Sequence, residues 1–179
     1  MKLFSATSPQ VEVNGETVLS IFAGMGTSSA RAARIMAKHG LDDVKPGVWY
    51  NQQRWLDAFK EIAETVGPNT LFQIGMQIPA NAKFPPQITT IEHGLSAIDV
   101  AYKMNHRGGE IGSYAFQSTG PRSARVVCNN PYPSDFDRGI IQSMANRFKP
   151  EGSFVVVELD KAQPTRKQGG ESCTYLVSW

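Results

Sequence analysis

Cysteine and histidine are the residue types best able to bind zinc, and this chain carries few of them. It has two cysteines and three histidines, with no C-x-x-C and no H-x-x-x-H pair. Zinc requires about four ligands at compact spacing. Cys128 and Cys173 are far apart in the sequence and lie in apolar, strand-like runs that favour inert thiols. The sequence therefore disfavours zinc.

The three histidines differ in their surroundings. His39 and His106 each follow a helical segment, where the helix dipole favours a positive charge. His93 lies between apolar Ile91 and Leu95 near the start of another helical segment. Of the three histidines, His93 is therefore the best candidate to contact a bound ligand.

Motifs for covalent catalysis and phosphate binding are incomplete. The chain has no G-x-S-x-G and no cysteine with a histidine nearby in the sequence. Residues 24–29, GMGTSS, lack the third glycine of a dinucleotide fingerprint and the lysine of a phosphate loop. We interpret them as a loop with a serine helix cap, whose helix start could hold an anion. Since no acid–base pair stands at recognisable spacing, the sequence favours binding over catalysis.

Composition fits a folded globular chain. Apolar residues make up 41% of the 179 residues and charged residues 19%, which excludes disorder. The net charge of +2 predicts no nucleic-acid partner. No apolar run is long enough to cross a bilayer, so we expect no membrane insertion. With no secretory signal pattern and too few cysteines for a disulfide framework, the expected location is cytoplasmic.

Helices dominate the first half of the sequence. Apolar spacing, caps and stops predict helices at residues 29–38, 52–66 and 90–105, with a shorter one from residue 70. Residues 11–23 alternate loosely around Asn14-Gly15 and suggest a short hairpin or an irregular lead-in segment.

The pattern changes to strands after Gly108-Gly109. Strands at 110–117 and 123–129, a helix at 134–148, and strands at 154–159 and 173–179 give the order β-β-α-β-β. The predicted fold class is therefore α+β, a helical N-terminal half followed by an antiparallel sheet with one helix on its face. Asp135, Asp137 and Arg138 begin that helix, and we expect Arg138 to pair with a neighbouring carboxylate or with Glu110.

Two segments of the C-terminal half carry a family resemblance. Residues 130–139, NPYPSDFDRG, and residues 170–175, GESCTY, with the final strand, resemble the 4-vinyl reductase-like domains. That family shares its fold with haem-binding nitric-oxide sensor domains and with the TRAPP transport subunits. The resemblance covers roughly residues 50–179, which suggests an extension or dimerisation segment at 1–45 and a ligand-binding domain at 46–179.

The resemblance raises haem as one ligand without deciding it. His93 is the candidate axial ligand. The sensor relatives carry a Tyr-x-Ser-x-Arg motif for the haem propionates, whereas Tyr114, Ser118 and Arg122 stand here at other spacings. The cofactor therefore stays unknown, with haem as an alternative.

A pocket between the helix at 90–105 and the sheet is the main functional expectation. It would hold a small apolar ligand, and small residues such as Gly112 or Ala115 on strand 111–117 would leave space for it. We expect its lining among seven residues, with His93 or His106 near the rim: Trp55, His93, Tyr102, Met104, His106, Tyr114 and Phe116.

Three classes of function remain open from the sequence. The first is a small-molecule-binding or sensory module, and the second is an enzyme or carrier for a tetrapyrrole or haem-like ligand. The third is an assembly subunit that pairs through helices. A homodimer is expected because a module without an output domain needs an interface to act.

Overall fold

The computed structural model describes all residues, 1–179, and divides into helices followed by a sheet. The predicted α+β class is confirmed. The six helices are α1 (Gly15–Met25), α2 (Ser29–Lys38), α3 (Gln52–Val66), α4 (Pro68–Asn81), α5 (Ile91–Met104) and α6 (Ser134–Phe148). None of them is long and apolar enough to cross a membrane.

Seven strands form two antiparallel sheets. The small sheet joins β1 (Glu12–Asn14), β2 (Trp49–Asn51) and β3 (His106–Arg107) in the order β2-β1-β3. The main sheet joins β4 (Ser113–Gly120), β5 (Ser123–Asn129), β6 (Val156–Leu159) and β7 (Cys173–Ser178) in the order β4-β5-β7-β6. The two hairpins expected around α6 are therefore present, and the small sheet was not predicted.

The expectation of a hairpin or irregular segment at residues 11–23 is wrong. Asn14 caps α1 instead, its side-chain oxygen accepting a hydrogen bond from the Glu16 amide at 3.0 Å. Val18, Ile21 and Met25 then recur at helical spacing and are buried. Helical periodicity over these residues, rather than the Asn-Gly dipeptide, decides the local structure.

The first 45 residues contribute to the same core as the rest of the chain. Side chains of α1 and α2, including Ile21 and Met36, are fully buried in one hydrophobic cluster with residues of α3–α6 and the main sheet. This segment is thus integral to the domain, and its part in dimerisation stays a prediction.

Glycines bring α4 against both α1 and α6. A Cβ on Gly75 would lie 2.1 Å from the Phe136 carbonyl oxygen, and one on Gly139 would lie 2.2 Å from that of Phe72. Gly24 of α1 approaches the Cα of Ile74 in the same way. These contacts join α1, α4 and α6 into a tight group, beside which α5 stands across a groove.

Candidate functional site

A groove of about 910 Å³ separates α5 from α1 and from the α4–α5 connection. The facing helices carry small side chains there, with Ser20 and Ala23 on α1 and Ala97 and Ala101 on α5. The side chains at these positions are too small to fill the space between the two helices. Val100 and Met104 on α5 also line the groove and are largely exposed, at 59% and 71%.

The charged groups of the groove are few. Glu16 and Lys83 are the ionisable residues in its lining, and amides such as Gln77 and Asn105 supply the other polar groups. Ten of the nineteen lining residues are hydrophobic, so a bound molecule would meet a mainly apolar surface with scattered hydrogen-bonding groups.

A smaller cavity of about 70 Å³ continues from the groove into the core. Six residues line both spaces: Thr17, Ile78, Ala82, Phe84, Ala101 and Asn105. Deeper in, the wall is aromatic, formed by Tyr102, His106, Tyr114, Tyr132 and Phe136. The cavity is more than tenfold smaller than the groove.

The buried imidazole of His106 has both ring nitrogens engaged. Nδ1 lies 2.9 Å from the Tyr102 carbonyl oxygen, which only accepts, so Nδ1 carries the hydrogen. Nε2 therefore accepts from the Tyr132 hydroxyl at 2.6 Å. Burial lowers the pKa of His106 to about 4, so the ring is neutral at pH 7.

A buried ion pair lies directly behind the aromatic wall. The Asp137 carboxylate binds the Arg166 guanidinium, and both side chains are almost fully buried. Asp137 Oδ1 also accepts from the Tyr114 hydroxyl at 2.6 Å and from the Asn130 amide at 3.2 Å. Burial raises the pKa of the Asp137 carboxyl, while Arg166 and these donors act in the opposite direction.

Arg166, not Arg138, is therefore the arginine that binds this carboxylate. The expected pairing of Arg138 is wrong, since its guanidinium lies over the Phe72 ring, 4.6 Å from the centroid. Arg166 comes from the loop before β7, and its contact with Asp137 is long-range in sequence. No local spacing rule could have indicated it.

The structure brings three of the seven expected site residues together. Tyr102, His106 and Tyr114 line the cavity, and Met104 lines the groove outside it. The other three lie elsewhere. Trp55 stacks on Phe59 in the core, His93 is exposed near the start of α5, and Phe116 is half-buried on β4.

Sequence reasoning missed the part of the lining that α1 and α4 supply, including Thr17 and Ile78. Reading residues 11–23 as a hairpin concealed the α1 face. The signal that could have found the groove is the spacing of Ala97 and Ala101, two small residues one turn apart on α5.

The space does not arise from small residues on β4, as the sequence suggested. A Cβ on Gly112 would lie 1.8 Å from the Asn129 carbonyl oxygen, and this glycine has a φ of +87°. Ala115 is exposed on the outer face of the sheet, while Tyr114 points inward. Gly112 thus permits the chain before β4 to lie close to the end of β5. The cavity forms between the helices and the inner face of the main sheet.

Metal-binding side chains do not gather anywhere in the chain. No group of three or more histidine, cysteine, aspartate or glutamate residues is placed to hold an ion. Cys128 and Cys173 face each other across β5 and β7 as buried, free thiols. Burial raises the pKa of Cys128 well above its usual value, which keeps this thiol protonated.

Comparison with known proteins identifies the fold. No protein-family model matches the sequence, and no curated protein does. Among solved structures, a mutant H-NOX protein of T. tengcongensis has a TM-score of 0.67 at 14% identity, covering 92% of this chain and 96% of that one. The unliganded Fe(II) H-NOX protein of K. algicida has the same TM-score at 11% identity, covering 92% and 95%.

A third structure, from work on haem distortion in the H-NOX family, has a TM-score of 0.68 at 14% identity over 93% of this chain and 94% of that one. The chain therefore has the haem nitric-oxide-binding fold over nearly its whole length, including the first 45 residues. Membership of the 4-vinyl reductase family stays a prediction.

Proposed function

We propose that this chain is a small-molecule-binding, sensory module whose ligand is an apolar organic molecule held in the groove between α5 and α1. The observation that carries the proposal is the continuity of the groove with the buried cavity. Small-molecule sites typically enclose about 300–1,000 Å³ and combine apolar walls with a few polar groups, and the groove has this size and lining.

The aromatic wall supports a sensory role for the same site. A ligand that extends from the groove into this much smaller cavity would displace aromatic side chains of its wall. Those side chains include Tyr114 and Tyr132, whose polar atoms bind the buried ion pair and the His106 ring. Ligand binding would thereby alter a buried hydrogen-bond network in the core.

The residues that line the site leave haem no free axial histidine. Haem iron takes a free histidine, cysteine, methionine or tyrosine ligand. No histidine or cysteine lines the groove, and in the cavity the Nε2 lone pair of His106 accepts from the Tyr132 hydroxyl, so His106 could bind iron only if Tyr132 moved away. The hydroxyls of Tyr102, Tyr114 and Tyr132 also have partners. The available thioethers, Met104 and Met144, leave iron without a nitrogen ligand.

A tetrapyrrole held without axial coordination is the second candidate, favoured by the size of the groove. Absorbance and native mass spectrometry of the purified protein test the two proposals together. An organic adduct without a Soret band is the expected result. A Soret band that persists in both H93Q and H106Q would instead indicate a tetrapyrrole in the groove. A Soret band lost in either variant would overturn the assignment of the site.

Other sequence-based expectations belong to this proposal. We propose that the protein is a homodimer, that residues 1–45 contribute to the interface, and that it acts in the cytoplasm as a relative of the 4-vinyl reductase-like domains. A light-scattering mass equal to that of the monomer at all concentrations would contradict the dimer.

A further inference from the structure

The loop that joins β6 to β7, residues 160–172, has one buried side chain that fixes it to the core, and its other side-chain tie is a partly exposed ion pair of Lys167 with Asp135 at 3.6 Å. Between Lys161 and Gly170 every residue is exposed or half-exposed except Arg166. Only 1% of the Arg166 side chain is exposed to solvent. A loop with a single buried anchor depends on the partners of that anchor for its position.

Three groups of the core bind Arg166. Nη1 donates to the Cys128 carbonyl, and Nη2 donates to the Tyr132 carbonyl at 2.8 Å and to the Asp137 carboxylate. The buried Nε has no partner. Around this anchor the amides of Gln168, Gly169 and Gly170 donate to carbonyls within the loop, forming a short turn.

Two of the residues that position Arg166 also line the cavity. Tyr114 presents its ring to the cavity and its hydroxyl to Asp137. Tyr132 presents its ring to the cavity and its carbonyl to Arg166. Displacement of the Tyr114 ring would therefore act on Arg166 through Asp137. Displacement of the Tyr132 ring would act on Arg166 through the carbonyl of Tyr132 itself.

We propose that the β6–β7 loop is the output element of this module, held in place by Arg166 while the cavity is empty and loosened when a ligand displaces Tyr114 or Tyr132. This inference rests on the proposed ligand site, because it assigns that site's occupancy a structural consequence. The loop is solvent-exposed, so a change in its order is available to a partner protein.

Hydrogen exchange at the amides of Gln168, Gly169 and Gly170 measures this coupling. Tyr114→Phe removes the hydroxyl that binds Asp137, and Tyr175→Phe is the matched control because its hydroxyl donates to the Ser134 carbonyl instead. We expect exchange at the three amides to be about fivefold faster or more in Tyr114→Phe than in the control. A change of about fivefold corresponds to the loss of one typical hydrogen bond. Equal exchange in the two variants would overturn the proposal.

The unaltered protein supplies a second measurement that needs no variant. Exchange at the same amides is followed as ANS, an anionic aromatic dye that binds apolar surfaces, is added. Saturable dye binding with faster loop exchange supports the coupling, and saturable binding with unchanged loop exchange refutes it. If the dye does not bind, the proposed ligand site fails, and the tyrosine variants alone decide whether Tyr114 controls the loop.

Discussion

Buried polar groups decide most of the local structure around the cavity. His106, Tyr132, Asp137 and Arg166 are all buried, and each is hydrogen-bonded. Such groups are costly to bury and are retained where partners satisfy them. Their partners come from distant parts of the chain, so the sequence identified Tyr102, His106 and Tyr114 as candidates without revealing what they bind.

The stability of the protein should depend on pH through His106. Burial lowers its pKa to about 4 from the usual 6.5, so between these values the unfolded chain binds a proton that the folded chain does not. The free energy of unfolding should therefore rise from pH 4 to 6.5, with roughly 3 kcal/mol attributable to this residue.

Urea denaturation across this pH range measures the effect. H106Q should remove most of the rise, while H93Q, which changes an exposed histidine, should keep it. A rise that is the same in both variants would show that His106 is not its source.

The Asp137–Arg166 pair should be costly to break and cheaper to remove entirely. Arg166→Met leaves a buried carboxylate without its cation and should lower the free energy of unfolding by about 3–5 kcal/mol. Arg166→Met combined with Asp137→Asn should cost less than the single change, because no charge is left buried. A double-mutant cycle measures the coupling, and strictly additive losses would contradict it.

At the scale of elements, local signals in the sequence were sufficient for most helices and strands. The helices α3 and α5 lie close to their predicted bounds, and Asn51 and Thr90 cap them, their side chains accepting from the amides of Arg54 and His93. Helix α1 was not predicted, because the Asn14-Gly15 dipeptide indicated a turn although the residues after it have helical periodicity. The groove could not be predicted from these signals, because it depends on how far apart α1 and α5 lie, and distant contacts set that separation.

Close packing of α4 on α6 should be sensitive to a single methyl group. Gly75→Ala places a Cβ against the Phe136 carbonyl, so the helices must separate, at an expected cost of about 1–3 kcal/mol. Thermal denaturation compares this variant with Gln73→Ala, on the exposed face of the same helix. Equal melting temperatures would contradict the tight contact.

At the scale of the whole molecule, the helical layer and the sheet enclose one core, and the groove lies within the helical layer, between α5 and α1. The structural likeness extends over 92% of the chain, so the division at residue 45 suggested by the family resemblance marks the limit of the recognisable motifs. Short motifs identify a segment, whereas the buried contacts of α1 and α2 define the domain.

The groove beside α5 should bind an apolar organic molecule, and titration with ANS tests this binding most directly. Ala101 lines both the groove and the cavity, so Ala101→Trp should block the groove where it meets the cavity. Ala33→Trp, on the exposed face of α2, is the matched control. Circular dichroism confirms that each variant is folded, since ANS also binds partly unfolded states.

We expect saturable dye binding to the unaltered protein and to the Ala33→Trp control, with affinity weakened at least about tenfold in Ala101→Trp, a change of 1.4 kcal/mol in binding free energy. Equal affinity in a folded Ala101→Trp variant, or no saturable binding to the unaltered protein, would contradict the proposed ligand site.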